Sequence, residues 1–305
     1  MHEDGSRRAI AAAFLANLGI AAAKFAAFLV TGAASMLAEA VHSLADTGNQ
    51  GLLLLGTARA KQQATPEHPF GFGRERYFWA FVVAMVLFSM GSVFAIHEGI
   101  GKLRHPHEVV SPLVAIGVLV VAIALESWSF RTALAAARPA RGRANWWSFI
   151  RRSKSPELPV VLLEDFGALL GLALAMVGVV LSALLGDPRF DAIGSIAIGT
   201  LLGAIAIVLA VEMKSLLIGE SANQEVRDAI RRSIEAFPAV RQLIHMRTLH
   251  LGPDELLVGV KVELDAGLDF AGLAATIDAL EAAIRRETPI ARLIYVEPDI
   301  ARSDA

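Results

Sequence analysis

Cysteine is missing altogether from the 305 residues. Disulfides and thiolate metal sites are excluded with it, and the redox compartment leaves no trace in the sequence. Charge is scarce: 19% of residues are Asp, Glu, Lys or Arg, against about 25% in an ordinary soluble chain. A basic excess is lacking too. With 28 Lys and Arg against 30 Asp and Glu the net charge is −2, so nucleic-acid binding has no electrostatic support. The N-terminal MHEDGSRR is a short charged tail. The apolar run after it is a full span in length and lacks a convincing cleavage site, so no cleavable signal is expected. The apolar runs hold no nucleophile–base pair and no HExxH helix, which argues against an enzyme.

What is present is hydrophobic: 55% of the residues, with a mean hydropathy of +0.53. Apolar runs of about 20 residues read as membrane spans, and six are found, at 9–30, 36–58, 77–100, 112–136, 159–185 and 192–217. Arg59, Lys61, Arg74 and Arg76 lie between the second and third, and Arg131, Arg138, Arg141, Arg143, Arg151, Arg152 and Lys154 between the fourth and fifth. Arg7 and Arg8 precede the first, whereas the opposite side holds Lys102, Arg104 and Arg189. The positive-inside rule then predicts a multi-pass protein of the plasma membrane with both termini cytoplasmic.

Composition changes after Gly219. Val226, Ile230, Ile234 and Phe237 make one side of a helix over 220–237. Residues 240–251 read as a strand, Gly252-Pro253-Asp254 as a turn, and 255–265 as a strand with strict alternation from Leu256 to Leu264. A helix over 268–287 and a strand over 291–297, stopped by Pro298, complete the order αββαβ. The expectation is an α-helical membrane protein of six transmembrane helices with a small C-terminal α+β domain of ferredoxin-like type, cytoplasmic, divided as a tail at 1–8, a membrane domain at 9–217 and the αββαβ domain at 218–305.

The chemistry is concentrated in SMLAEAVHSLADTGNQ, residues 35–50. At about 100° per residue, Ser35, Glu39, His42, Asp46, Asn49 and Gln50 share one stripe of a helix whose other residues are Met, Leu, Ala, Val, Ser, Gly and Thr. An isolated charge at the bilayer centre costs about 3 kcal/mol or more, so such a stripe points to an aqueous or ion-lined path. His42 and Asp46, at i and i+4, present an imidazole and a carboxylate to one cation. The fifth span supplies Glu164 and Asp165. Asp46 is about 20 Å of helix from Arg59, and Asp165 about 16 Å from Lys154, so the two reach comparable depth. One imidazole with two or three carboxylates suits a first-row divalent ion: Zn²⁺, Mn²⁺, Fe²⁺ or Co²⁺. His42, Asp46, Asp165 and, as second choice, Glu164 are the expected metal ligands. Metal binds neutral imidazole, so metal and proton compete for His42. Lys24 reads as snorkelling outward and Glu126 as snorkelling toward the cytoplasm.

AEAVHSLADTGNQ in the second span, HPFGFGRERYFWAF opening the third, LLIGES after the sixth and the αββαβ tail together resemble the cation diffusion facilitators, the family of zinc-transporter-type metal/proton antiporters, over nearly the whole chain. The resemblance implies a homodimer paired through the tail domains, efflux of cytoplasmic divalent metal (zinc first), protons as counter-substrate, the lipid bilayer as surroundings, and no cofactor beyond the transported metal. Departures are visible. The family's ligand four residues before Asp165 is Val161 here, and Phe72 stands for the second histidine of a loop motif that begins at His68. In the tail, Lys261 and Tyr295 hold places where relatives have histidines. A full two-metal cluster is therefore not expected in the tail, and a membrane metal-binding or interaction protein without transport is the alternative.

Overall fold

The computed structural model describes residues 18–106 and 111–302. The tail at 1–8, the first half of the first predicted span and His107 lie outside the described residues. The chain divides into two compact units. One runs to Thr57 and resumes over Phe78–Met213; the other joins Ala58–Tyr77 to the chain from Lys214 onward.

The first unit is helical. Helix α1 (Leu18–Thr31) ends at Gly32, whose φ of 65° gives the left-handed turn that starts α2 (Ala34–Ala60). Helix α3 (Glu75–Arg104) carries a π segment at Leu87–Val93. There the Ser89 hydroxyl donates back to Met85 O at 2.8 Å, drawing on the carbonyl ladder. Helix α4 (Pro112–Arg141) starts on a proline and ends at Gly142, also at positive φ. A short helix α5 (Trp146–Arg152) forms inside the basic connection, where no element was expected. Asn145 caps it through Ser148 N at 2.6 Å, and the Arg141 guanidinium lies 4.3 Å over the Trp146 ring. Helices α6 (Glu157–Leu185) and α7 (Arg189–Ile218) follow.

Among the described residues, α3, α4, α6 and α7 are long and apolar enough to cross a membrane. Helix α2 has the length, 27 residues, but its polar stripe lowers its mean hydropathy, and α1 is described only from Leu18. Glycines in the helices allow close packing. A Cβ on Gly199 would stand 2.7 Å from Ser92 O, and one on Gly99 2.8 Å from Ala192 O, so α3 and α7 touch backbone to backbone. Where they meet α2, Asp191 at the start of α7 takes Ala34 N at 2.9 Å, Lys102 Nζ at 2.8 Å and the Ser35 hydroxyl. Lys102, Asp191 and Ser35 are all fully buried.

In the second unit, α8 (Gln224–Glu235), β1 (Val240–Gly252), β2 (Glu255–Leu264), α9 (Phe270–Glu287) and β3 (Ala291–Pro298) give the expected αββαβ order. The sheet order is β1-β2-β3. The first pair is antiparallel and the second parallel, through the α9 crossover. Alternate β2 residues Leu256, Val258, Val260 and Val262 bury against Ile230, Ile234, Leu280 and Ile284, so both helices cover one face. Helix α8 begins four residues later than the apolar pattern predicts. Residues 220–222 run beside β1 instead, with Glu220 O accepting His250 N at 2.9 Å and Ala222 N donating to Thr248 Oγ1 at 3.0 Å. The GFGRER stretch belongs to this unit. Gly73 lies so close to the β1–β2 turn that a Cβ would be 2.7 Å from Leu251 O, and Arg76 pairs with Asp254 at 2.9 Å.

Candidate metal site

The stripe of α2 is buried along its length: Ser35, Glu39, His42, Ser43, Asp46 and Asn49 all lie below one-tenth exposure. The i, i+4 relation brings His42 Nδ1 to 3.5 Å from Asp46 Oδ1. That distance is too long for a good hydrogen bond. Among the described residues, both ring nitrogens of His42, Asp46 Oδ1, Glu39 Oε1 and Asn49 Oδ1 have no hydrogen-bond partner although buried. Buried polar atoms left unsatisfied cost about 1–3 kcal/mol each. A row of them on one helix face leaves nitrogen and oxygen donors of α2 open inside the bundle.

Helix α6 contributes Glu164 and Asp165, both buried. They turn to different neighbours: Glu164 Oε1 accepts Asn49 Nδ2 at 2.6 Å, and Asp165 Oδ2 accepts the Ser129 hydroxyl of α4 at 3.1 Å. Glu164, Glu126 and Asp165 all lie within electrostatic reach of Asp46. The four residues expected as ligands are thus placed on one buried acidic region, His42 beside Asp46 and the α6 pair facing it. Among the described residues, no three His, Asp or Glu side chains converge as a formed cage. Val161, which takes the place of a fourth ligand, offers no donor atom.

Two side chains read otherwise from the sequence belong to this region. Lys24 of α1 does not snorkel outward. It is fully buried, with Nζ 3.1 Å from Glu39 Oε2 and 2.7 Å from Ser43 Oγ. Two acceptors on the next helix hold the ammonium inside. Glu126 of α4 is 5% exposed rather than reaching for the cytoplasm, and Lys24 and Glu39 are within its electrostatic reach. The signal for both was available: an ionisable residue in the middle of an apolar helix tends to face the bundle interior. In the other unit, Lys261 Nζ meets Glu297 and Asp299, each at 2.9 Å.

Long apolar helices that enclose a histidine, several carboxylates and a lysine define a multi-pass integral membrane protein with charged groups in its interior. More narrowly, the chain belongs to the cation efflux family, whose transmembrane domain matches residues 10–218. It is 34% identical over 261 residues to the mitochondrial proton-coupled zinc antiporter SLC30A9 of Mus musculus, covering 85% of this chain and 45% of that protein. Metal tolerance protein C4 of Arabidopsis thaliana is 27% identical over 94% of this chain and 62% of its own length. Magnetosome protein MamB of Paramagnetospirillum magneticum is 25% identical over 94% of this chain and 92% of its own. The chain therefore spans less than half the length of the zinc antiporter. A solved C-terminal domain of MamM in its nickel form aligns over 26% of this chain and 100% of its own length, at 19% identity and a TM-score of 0.25, a likeness on which nothing further rests.

Proposed function

We propose that the chain is a divalent metal efflux transporter, with Zn²⁺ as cargo, that exchanges metal for protons at His42, Asp46, Asp165 and Glu164. The observation that carries the reading is the buried imidazole of His42, unpartnered at both nitrogens beside an unpartnered carboxylate oxygen of Asp46. Nitrogen and oxygen donors without thiolate bind zinc and release it, and metal displaces a proton from the same imidazole. Family membership and the likeness to a proton-coupled zinc antiporter support the cargo and the counter-ion. The protein works as a transporter and not as an enzyme. It needs no cofactor beyond its cargo, and it forms a homodimer with six spans in the plasma membrane and both termini in the cytoplasm, the tail domain included.

The test is zinc uptake into proteoliposomes under an imposed pH gradient. We expect His42→Ala and Asp46→Ala each to abolish gradient-driven flux; wild-type flux in either variant removes them from the site. The lack of a formed three-ligand cage among the described residues is what favours the second reading, metal binding without transport. Stoichiometric zinc binding with no flux under the gradient would establish it.

A further inference from the structure

The proposed exchange leaves several buried charges unused, Lys24 among them. Lys24 sits on α1 with its ammonium between Glu39 and Ser43, the residues three before and one after His42. Its partner is only half occupied. Glu39 Oε2 takes the ammonium, while Oε1 is buried without a partner. Oε1 also faces α6, where a Cβ on Gly171 would stand 2.5 Å from it. Glu39 thus lies one turn along the stripe from His42 and spans from the lysine to the helix that carries Asp165. The lysine stem borders a cavity of about 580 Å³ between α1 and α4, lined also by Gly19, Ala23, Gly117 and Ala122. Close packing on that side does not pin the stem, and a second carboxylate, Glu126, lies within its electrostatic reach across the same pair of helices.

We propose that Lys24 is a tethered cation of the transport path: it holds Glu39 while the His42 level is free of metal, yields that carboxylate to a divalent ion passing the level, and retracts toward Glu126. This rests on the metal-path reading of the same stripe. The physical logic is charge balance. Glu39 alone would add a strong anion beside His42 and hold a divalent ion long after it should leave. An ammonium on a four-carbon stem neutralises Glu39 between passages and returns to expel the ion. Lys24 is a positioning residue, acting through Glu39 rather than on the metal.

The distinguishing measurement is equilibrium Zn²⁺ affinity of the purified full chain in detergent, by competition with a zinc-chelating dye. Lys24→Gln frees Glu39 and is expected to bind zinc about tenfold tighter. Lys24→Arg keeps the charge and stays within about twofold of the parent, and Lys24→Gln with Glu39→Gln returns to parental affinity. Unchanged or weaker binding in Lys24→Gln overturns the proposal, as does tightening that persists in the double variant. A purely structural lysine would weaken binding when removed. Should the Lys24 variants misfold, the parent itself gives the answer. Labelling of Lys24 by acetic anhydride, read by mass spectrometry, is expected to rise on zinc saturation, and an unchanged yield overturns the proposal. Neither readout depends on flux. Zinc binding without gradient-driven flux would sink the transport reading and leave the Lys24 result standing.

Discussion

At the scale of single residues, the site divides into donors with partners and donors without. Both ring nitrogens of His42 and Oδ1 of Asp46 are buried without a hydrogen-bond partner, whereas Glu164 and Asp165 are each held by a neighbour, Asn49 and Ser129. A hydroxyl is a weaker hold than a short amide contact, so under the proposed metal reading Asp165 is freer to turn to an ion than Glu164. We expect Asp165→Asn to lower zinc flux in proteoliposomes about a hundredfold and Glu164→Gln about tenfold or less. The reverse order would exchange their roles. The stripe itself was legible because helix periodicity turns spacing into a face: six polar residues in sixteen fell on one side. Lys24 and Glu126 were misread because periodicity fixes a residue's angle on its own helix but not what stands opposite. The place of Lys24 within an apolar helix favours the bundle interior, but that its partner is Glu39 shows only once α1 is set against α2. Both corrections enlarge the charged region around the pair the sequence had singled out.

Helices are set against one another by a second buried ion pair. Asp191 accepts the first free amide of α2, where a carboxylate is favoured by the helix dipole, and the same group neutralises Lys102 of α3. Three helices are tied by one side chain. Removing either partner strands a charge away from water, which costs about 3–5 kcal/mol, more than the intact pair is worth. Asp191→Ala and Lys102→Met should therefore each depress the thermal unfolding midpoint in detergent, and the double variant should lose less than the two singles combined. Additive losses would show that the pair is not a unit. This contact was not readable in advance. The sequence places Lys102 on the outer side and gives Asp191 no role, and nothing in local spacing links positions 89 residues apart. The strands of the tail were legible nearly to the residue, since alternation in β2 and the Gly252-Pro253-Asp254 turn act within a few positions. The start of α8 was not, because Thr248 and His250 of β1 claim the backbone ahead of it.

For the molecule as a whole, the two units handle charge differently. The helical unit buries it; the sheet unit leaves it in water. Hydrogen bonds to Glu297, then to Asp299, hold the Lys261 ammonium above its usual range. Hydrogen bonds from Lys261, then from Ile300 N, hold the Asp299 carboxyl below its own. The raised group stabilises the fold fully below about pH 10.4, a contribution lost as pH rises through its folded value. The depressed one stabilises above about pH 3.9 and is lost as pH falls through its folded value. Between those limits Lys261 and Asp299 add no pH dependence, so any pH response near neutrality comes from other groups in the chain. Lys261→Met should return Asp299 toward about 3.9, followed by a ¹³C titration of its carboxyl in the full chain; an unmoved value would show that Ile300 N alone sets it. With an ammonium seated among these carboxylates, the tail carries its own permanent cation.

The π segment of α3 bears on the Lys102 contact. An i→i+5 turn accommodates one residue more than an α turn, so everything after Leu87–Val93 is rotated relative to what precedes it. Lys102 lies nine residues beyond that segment, and its direction toward Asp191 includes the rotation. One residue fewer in the segment would swing it by about 100° and turn its stem from the bundle to the lipid. The middle of α3 is in this sense a phase setting. What looks like a local irregularity in hydrogen bonding is the clock position that lets the end of the helix find its counter-charge.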